Sequence, residues 1–222
     1  MIKIIEKLSY LLILILPFSL IAGSAIPDIS ITLVGLFFLS LFFLKKSVLD
    51  IHTHQWILIS IFFWLFLLFI SIFSENKYLA YIDSIIFIRI LFIPIFIYIW
   101  ILNDENRIKQ LILVIFLAVV FVCLDTIYQF INYDPANGFG RDLFGNIPEF
   151  YGRLTGPFTE LVPGAYVSKF SLIGLVFILL YFRNTTLQRI SIIIYLTLVG
   201  VVTYISGERM SLATFLLGLC LL

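Results

Sequence analysis

The stretch that decides the fold is Ile61-Phe-Phe-Trp-Leu-Phe-Leu-Leu-Phe-Ile70, in which every side chain is apolar. A strand of a transmembrane β-barrel alternates apolar and polar side chains with a period of two, and this run shows no such alternation. A helix that is apolar on every side has no face for water, so it must lie against lipid or against other helices. The stretch therefore predicts a helix within a membrane.

The rest of the chain has the same character. Hydrophobic residues make up 62% of the 222 residues, charged residues make up 12%, and the mean hydropathy is +1.16. These values lie outside the range of soluble domains. The net charge of +1 gives no indication of a nucleic-acid partner. Cys123 and Cys220 both lie inside apolar runs, where a cysteine packs as a small apolar side chain.

The spacing of the apolar runs predicts an all-α, polytopic membrane bundle, because a helical crossing needs roughly 20 apolar residues. We expect a single transmembrane domain over residues 1–222 with seven full spans and an incomplete eighth. Residues 131–165 are predicted to form a periplasmic or interfacial loop. The last run is too short to span, so we expect a chain truncated within a helix. The predicted spans cover about residues 8–22, 26–44, 56–73, 84–102, 108–130, 166–182, 190–205 and 210–222.

The distribution of basic residues predicts a cytoplasmic N-terminus. Cytoplasmic connections hold more lysine and arginine than outer ones in membrane proteins. With the N-terminus inside, eight basic residues fall on the cytoplasmic side and four on the outer side. The inner eight are Lys3, Lys7, Lys45, Lys46, Arg107, Lys109, Arg183 and Arg189; the outer four are Lys77, Arg141, Arg153 and Arg209. The first 25 residues also have the zones of a cleavable signal peptide, and cleavage would leave the later topology unchanged.

Two arginines on the predicted outer side are candidate anion ligands. Arg153 precedes a Thr-Gly-Pro turn, where its forked donors suit phosphate oxygens. Arg209 follows Ser206 and Gly207 at a helix start, where free backbone N–H groups also favour an anion. The alternatives are structural: Arg153 could pair with Glu160 or reach lipid phosphates, and the charge of Arg209 could be compensated by Glu208.

Other polar residues give weaker indications of a site. Arg89 lies deep in its span and needs a partner, for which Asp125 is one possibility; it is either a structural pair or a substrate contact. Lys169 lies near the outer end of its span and can extend to the interface. His52 and His54 form a His-x-His pair without a third ligand nearby, so no metal site is predicted. The sequence contains no Walker, dinucleotide-binding or HExxH motif.

Three elements of the chain carry a resemblance to a known family. They are Leu-Pro-Phe-Ser-Leu at residues 16–20, Arg153-Leu-Thr-Gly156-Pro-Phe158, and Ser206-Gly-Glu-Arg209-Met-Ser211 before an apolar helix. With these elements the chain resembles the N-terminal part of the O-antigen ligase and polymerase superfamily. The last two elements are the more specific. The resemblance covers essentially the whole chain, but little more than half of a complete family member.

The resemblance implies an inverting glycosyltransferase of the bacterial inner membrane that uses no cofactor and no metal. Its donor is a polyprenyl-pyrophosphate-linked glycan, and its acceptor is the lipid A core or another lipid-linked glycan. Arg153 and Arg209 match motif positions and would bind the pyrophosphate. Arg89, Glu160 and Lys169 match no motif and are only possible substrate contacts. The expected catalytic histidine base lies beyond Leu222, so we expect this chain alone to be inactive.

Two other classes of function stay open. A multi-span transporter or flippase would explain the helix count and the charges of Arg89 and Lys169 within spans. Against it, paired helices broken by glycine or proline in matching halves are not visible. A non-catalytic membrane remnant is the second alternative.

Overall fold

A computed structural model describes residues 2–23, 25–44, 55–132, 134, 136, 140–148, 153–158 and 163–221. Within these ranges the chain is helical, with no β-strand, which confirms the predicted all-α class. The π-helical turn Ile97–Ile101 directly extends the fourth helix. The helices are α1 (Ile2–Ser19), α2 (Ala25–Leu44), α3 (Gln55–Ser71), α4 (Lys77–Phe96), α5 (Glu105–Ile131), α6 (Pro163–Tyr181), α7 (Thr185–Ile205) and α8 (Arg209–Cys220).

Each predicted span falls on one of these helices, but seven complete crossings are not supported. In the described part of the chain, four helices have the length and apolar composition needed to cross a membrane. Three further apolar helical stretches there are shorter, namely Ala25–Leu41 within α2, Gln55–Ser71 and Arg209–Cys220. The four long ones are Lys77–Ile99, Glu105–Ile131, Pro163–Tyr181 and Thr185–Ile205. The supported statement is therefore a helical protein with four membrane-competent helices.

All eight described helices begin earlier than the apolar runs predict, and the starts of α4 and α6 have a local explanation. α4 begins at Lys77 rather than near Ser84, because the side chain of Asn76 accepts a hydrogen bond from the backbone N–H of Leu79 at its start. α6 begins at Pro163 rather than at Tyr166. Proline is favoured in the first turn of a helix, since its missing N–H would have no partner there.

The chain forms two compact units. Unit 1 consists of Met1–Leu16 and Pro27–Ile108, and unit 2 consists of Pro17–Ile26 and Lys109–Leu222. The prediction of one transmembrane domain stays a prediction. In unit 1, α3 and α4 pack as neighbours, and the indole N–H of Trp64 donates to the carbonyl of Ser84 at 2.9 Å.

The core of unit 2 is built by α5, α6 and α7 together with α8. On α5 the buried residues recur at helical spacing, from Ile115 through Val119 and Val122, so that one face of the helix is covered. Opposite them lie Val167 and Ile178 of α6 and buried residues of α7. This core positions the C-terminal end of α5, where Asp125, Thr126 and Gln129 lie.

A close approach between α6 and α7 centres on Gly174. The hydroxyl of Tyr195 donates to the carbonyl of Ser171 at 2.9 Å, and a Cβ atom at Gly174 would collide with that hydroxyl. Tyr195 is buried, so its ring has little room to move. Glycine is therefore required at this position by space.

We expect Gly174→Ala to lower the free energy of unfolding by about 1–3 kcal/mol, the usual cost of overpacking a filled core. Gly200→Ala in α7 is the matched control, because its Cβ would meet only Phe215 at an ordinary 3.5 Å. Thermal unfolding of both variants in one detergent measures the difference. A Gly174→Ala protein as stable as Gly200→Ala would contradict the close approach.

Candidate functional site

The site is organised by Gln129, which is fully buried and lies two residues before the end of α5. Its side-chain oxygen accepts hydrogen bonds from the backbone N–H groups of Thr155, at 3.1 Å, and Gly156, at 2.8 Å. Its side-chain nitrogen donates to the hydroxyl of Thr155 at 3.0 Å and to the carbonyl of Asn146 at 3.4 Å. One side chain therefore holds two separate segments of the loop against α5.

The turn after Arg153 is held in place by sterics as well as by hydrogen bonds. Gly156 has φ +53°, a backbone conformation that favours glycine. A Cβ atom there would lie 2.6 Å from the hydroxyl of Thr126 and 3.2 Å from Cβ of Pro163. Leu154 and Phe158, on either side of the turn, are 0% and 2% exposed. The backbone around Arg153 is thus anchored to both α5 and α6.

Arg153 is exposed, although its neighbour Leu154 is completely buried. Within the part of the chain that the structure describes, its guanidinium makes no hydrogen bond or ion pair. Glu160, the partner that the sequence suggested, lies outside the described residues. A cation on an anchored turn can bind an anion with little loss of backbone freedom.

A second turn beside the site is organised by two buried carboxylates. Asp125 of α5 accepts from the backbone N–H of Leu143 at 2.9 Å, and its other oxygen, Oδ2, is buried without a partner among the described residues. Asp142 accepts from the N–H groups of Phe144, at 2.9 Å, and Asn146, at 2.6 Å, and from the Asn146 side chain at 2.7 Å. These bonds hold the turn over residues 140–148 in one conformation.

Arg209 is the first residue of α8 and is also exposed. Glu208, the N-cap residue, accepts a hydrogen bond from the Ser211 hydroxyl and makes no cap bond to the backbone. Among the described residues, neither Glu208 nor another acid forms an ion pair with Arg209. The first N–H groups of α8 have no intrahelical acceptor, so they add positive potential beside the guanidinium.

The helix ends bring the Arg153 turn and the start of α8 to the same end of unit 2. Gly156 packs against Pro163 at the start of α6. The next residue, Gly164, packs so closely against Ser206 that a Cβ atom would collide with its hydroxyl, and it would lie 3.2 Å from Cβ of Ser211. The turn after Arg153 and the turn before Arg209 therefore both pack on the first turn of α6.

Arg89 and Lys169 are the two other candidate residues that the structure describes. Arg89 belongs to unit 1, where its guanidinium pairs with Asp28 at 2.9 Å and donates to the hydroxyl of Thr32 at 3.1 Å. Its carboxylate partner is thus Asp28, and the suggested pairing with Asp125 was wrong. Lys169 is exposed on α6 and makes no ion pair within the described ranges.

Sequence reasoning missed Gln129, Thr155 and Asp142, although one signal was available. Asp125, Thr126 and Gln129 share one face of α5 just after its apolar run from Leu111 to Leu124, and all three are buried. Buried polar side chains need hydrogen-bond partners, so this face predicts that a polar segment packs against it.

A metal centre has no comparable support, since the described residues contain no group of three or more His, Cys, Asp or Glu side chains.

Comparison with protein-family models, with curated proteins and with solved structures finds no match to this chain. A proposal of function therefore rests on the contacts of the described residues.

We expect Gly156→Ala to destabilise the protein more than Gly145→Ala. Both glycines have positive φ, at +53° and +86°, so alanine costs about 1–2 kcal/mol at either position. Of the two, Gly156 also lacks space, because no atom of the described residues lies within 4 Å of a Cβ atom at Gly145. The measurement is the midpoint of thermal unfolding in detergent. Equal losses in the two variants would show that the Gly156 turn does not pack against Thr126 and Pro163.

Proposed function

We propose that this protein takes part in envelope glycan synthesis as a transferase of the O-antigen ligase and polymerase type. In this proposal it lies in a bacterial inner membrane with a cytoplasmic N-terminus. Its donor is a polyprenyl-pyrophosphate-linked glycan, and its acceptor is a hydroxyl of the lipid A core or of another lipid-linked glycan. The observation that carries the proposal is the pair of exposed arginines without ion-pair partners among the described residues, on turns that pack on the same helix end.

The proposed chemistry assigns the arginines to the leaving group. The acceptor hydroxyl attacks the anomeric carbon and loses its proton to a general base or to water. The bond from that carbon to the pyrophosphate oxygen breaks, and the configuration inverts. Negative charge develops on the departing pyrophosphate, and donors already held in position stabilise it. Arg153 and Arg209, together with the free N–H groups at the start of α8, are the donors that we assign to this role.

Three features support a lipid-borne anion as the substrate. The site lies at the ends of helices that have the length and composition to cross a membrane. The 131–165 segment is acidic overall, with Asp134, Asp142, Glu149 and Glu160 against Arg141 and Arg153. It is therefore not a general basic surface, and individually placed arginines must supply the attraction. Arginine suits this role because its planar fork binds phosphate oxygens in pairs.

The transporter alternative would place the substrate at Arg89. The guanidinium of Arg89 already has Asp28 and Thr32 as partners, so its charge is compensated within unit 1. A substrate anion would have to displace Asp28. This contact favours the structural role for Arg89 and leaves the transferase as the better-supported proposal.

The first test is chemical protection of arginines in the protein reconstituted in nanodiscs. Phenylglyoxal modifies accessible guanidinium groups, and peptide mass spectrometry reports each site separately. We expect inorganic pyrophosphate and farnesyl pyrophosphate to slow the modification of Arg153 and Arg209 and to leave Arg141 unchanged. Arg141 is the internal control because it is exposed in the same segment and belongs to no motif.

The protection pattern decides between the two functions. Protection of Arg89, with Arg153 and Arg209 unprotected, would favour transport and overturn the transferase proposal. Modification rates that do not change at any arginine would also overturn it.

The second test is glycan transfer in cells, with the substitutions placed in a full-length transferase of the proposed type. Arg153→Ala and Arg209→Ala should each lower transfer by about 100-fold or more, the usual effect of removing a donor to a developing charge. Arg→Lys variants should recover little activity, because lysine keeps the charge but loses the fork. Arg141→Ala at equal membrane abundance is the control. Wild-type glycan levels in both alanine variants would refute the assignment.

A further inference from the structure

The side-chain amide of Gln129 has its hydrogen-bonding capacity in use. Its oxygen accepts from two consecutive backbone N–H groups, and its nitrogen donates to two oxygens. An amide side chain offers two donor hydrogens and two acceptor lone pairs, so the four bonds account for all of them. The residue is also 0% exposed, which means that water does not compete for these bonds.

These four bonds determine where the Arg153 turn lies. Only Leu154 lies between Arg153 and Thr155, and Thr155 is the first residue that Gln129 binds in this turn. Burial of Leu154 and Phe158 also holds the turn, but apolar contact has no strong preference for direction. Hydrogen bonds are directional, and the two N–H groups that converge on one oxygen fix the rotation of the turn.

Gln129 also connects the turn to its neighbour. Through the carbonyl of Asn146 it contacts the 140–148 turn, whose conformation depends on Asp142. The amide therefore holds both described parts of the loop at the same point of α5. A displacement of either segment would leave buried polar atoms without partners, at about 1–3 kcal/mol for each group.

We propose that Gln129 is the positioning residue of the pyrophosphate site, acting through the Thr155–Gly156 backbone to hold Arg153 in its binding position. The proposal rests on the proposed function, since it names the residue on which that anion site depends. Gln129 does not contact the substrate itself, because it is fully buried beneath the turn. Arg209 lies on another turn, to which the four bonds of Gln129 do not extend, and serves as an internal reference.

A graded series of variants tests the proposal. Gln129→Leu removes all four bonds, Gln129→Glu keeps the acceptor oxygen for the two N–H groups, and Thr155→Val removes one bond to the side-chain nitrogen. The readouts are the phenylglyoxal rate at Arg153 relative to Arg209, and the pyrophosphate concentration that half-protects each arginine. Thermal unfolding is measured on the same samples in nanodiscs.

Asp125→Asn is the matched control. Asp125 is buried on the same face of α5, one turn before Gln129, and the change is again between a carboxylate and an amide. The oxygen of asparagine can still accept from Leu143, and the replaced Oδ2 has no partner among the described residues. We expect the rate ratio of Arg153 to Arg209 to stay within about twofold of wild type in this variant, because the bonds of Gln129 remain.

In Gln129→Leu we expect half-protection of Arg153 to need about tenfold more pyrophosphate, the equivalent of one or two net hydrogen bonds. Gln129→Glu and Thr155→Val should show smaller changes, and Arg209 should keep its unliganded rate in all three. If Gln129→Leu does not fold, the two milder variants carry the test.

Three results would overturn the proposal. The first is an Arg153 that behaves as in wild type in all the Gln129 and Thr155 variants. The second is an equal change at Arg153 and Arg209 together with a lower melting temperature, which would mean a structural role alone. The third is an equal effect in Asp125→Asn. If pyrophosphate fails to protect the wild-type protein, the proposed function fails, and the unliganded rate ratio still decides whether Gln129 positions Arg153.

Discussion

The structure of unit 2 depends on the requirement that a buried polar group find its partners inside the protein. Gln129 and Asp125 follow the apolar run from Leu111 to Leu124 of α5, where lipid or packed side chains offer them no hydrogen bonds. Their partners come from backbone N–H groups of a segment without regular structure. The same bonds satisfy the backbone of that segment, which could not be buried without them. The polar face of α5 and the backbone of the loop therefore each supply the hydrogen-bond partners that the other needs.

Close packing at the first turn of α6 connects the Arg153 turn with the turn before α8. Gly156 and Gly164 let the Arg153 turn and the turn before α8 approach the same helix end, and larger residues would keep them apart. Serine residues at the contact keep their own hydroxyls bonded, as Ser206 does to the carbonyl of Thr203 at 2.9 Å. Small residues are common where membrane helices approach closely, since van der Waals packing replaces the hydrophobic effect there. These contacts place the turns that carry the two arginines next to α6.

Much of the fold follows from sequence, because long apolar runs leave few alternatives to helices. The errors lie at helix ends: Lys77 and Pro163 belong to helices although neither extends an apolar run. Seven full crossings are also not supported among the described residues, since apolar runs as short as that of α3 form helices below the length of the four long ones. For the candidate site, Arg153 and Arg209 stand out by type and motif. The residue that holds Arg153 in place does not stand out. Gln129 binds backbone N–H groups 26 and 27 residues away, and backbone groups leave no pattern in a sequence.

The pair between Arg89 and Asp28 has a consequence for how the protein is made. An arginine within a membrane helix costs about 2.5–3.5 kcal/mol on insertion scales when it has no partner. Asp28 and Thr32 belong to α2, which leaves the ribosome well before α4. When α4 enters the bilayer, the carboxylate that neutralises its arginine has therefore already been synthesised. The order of helices along the chain thus supplies the counter-charge ahead of the charge.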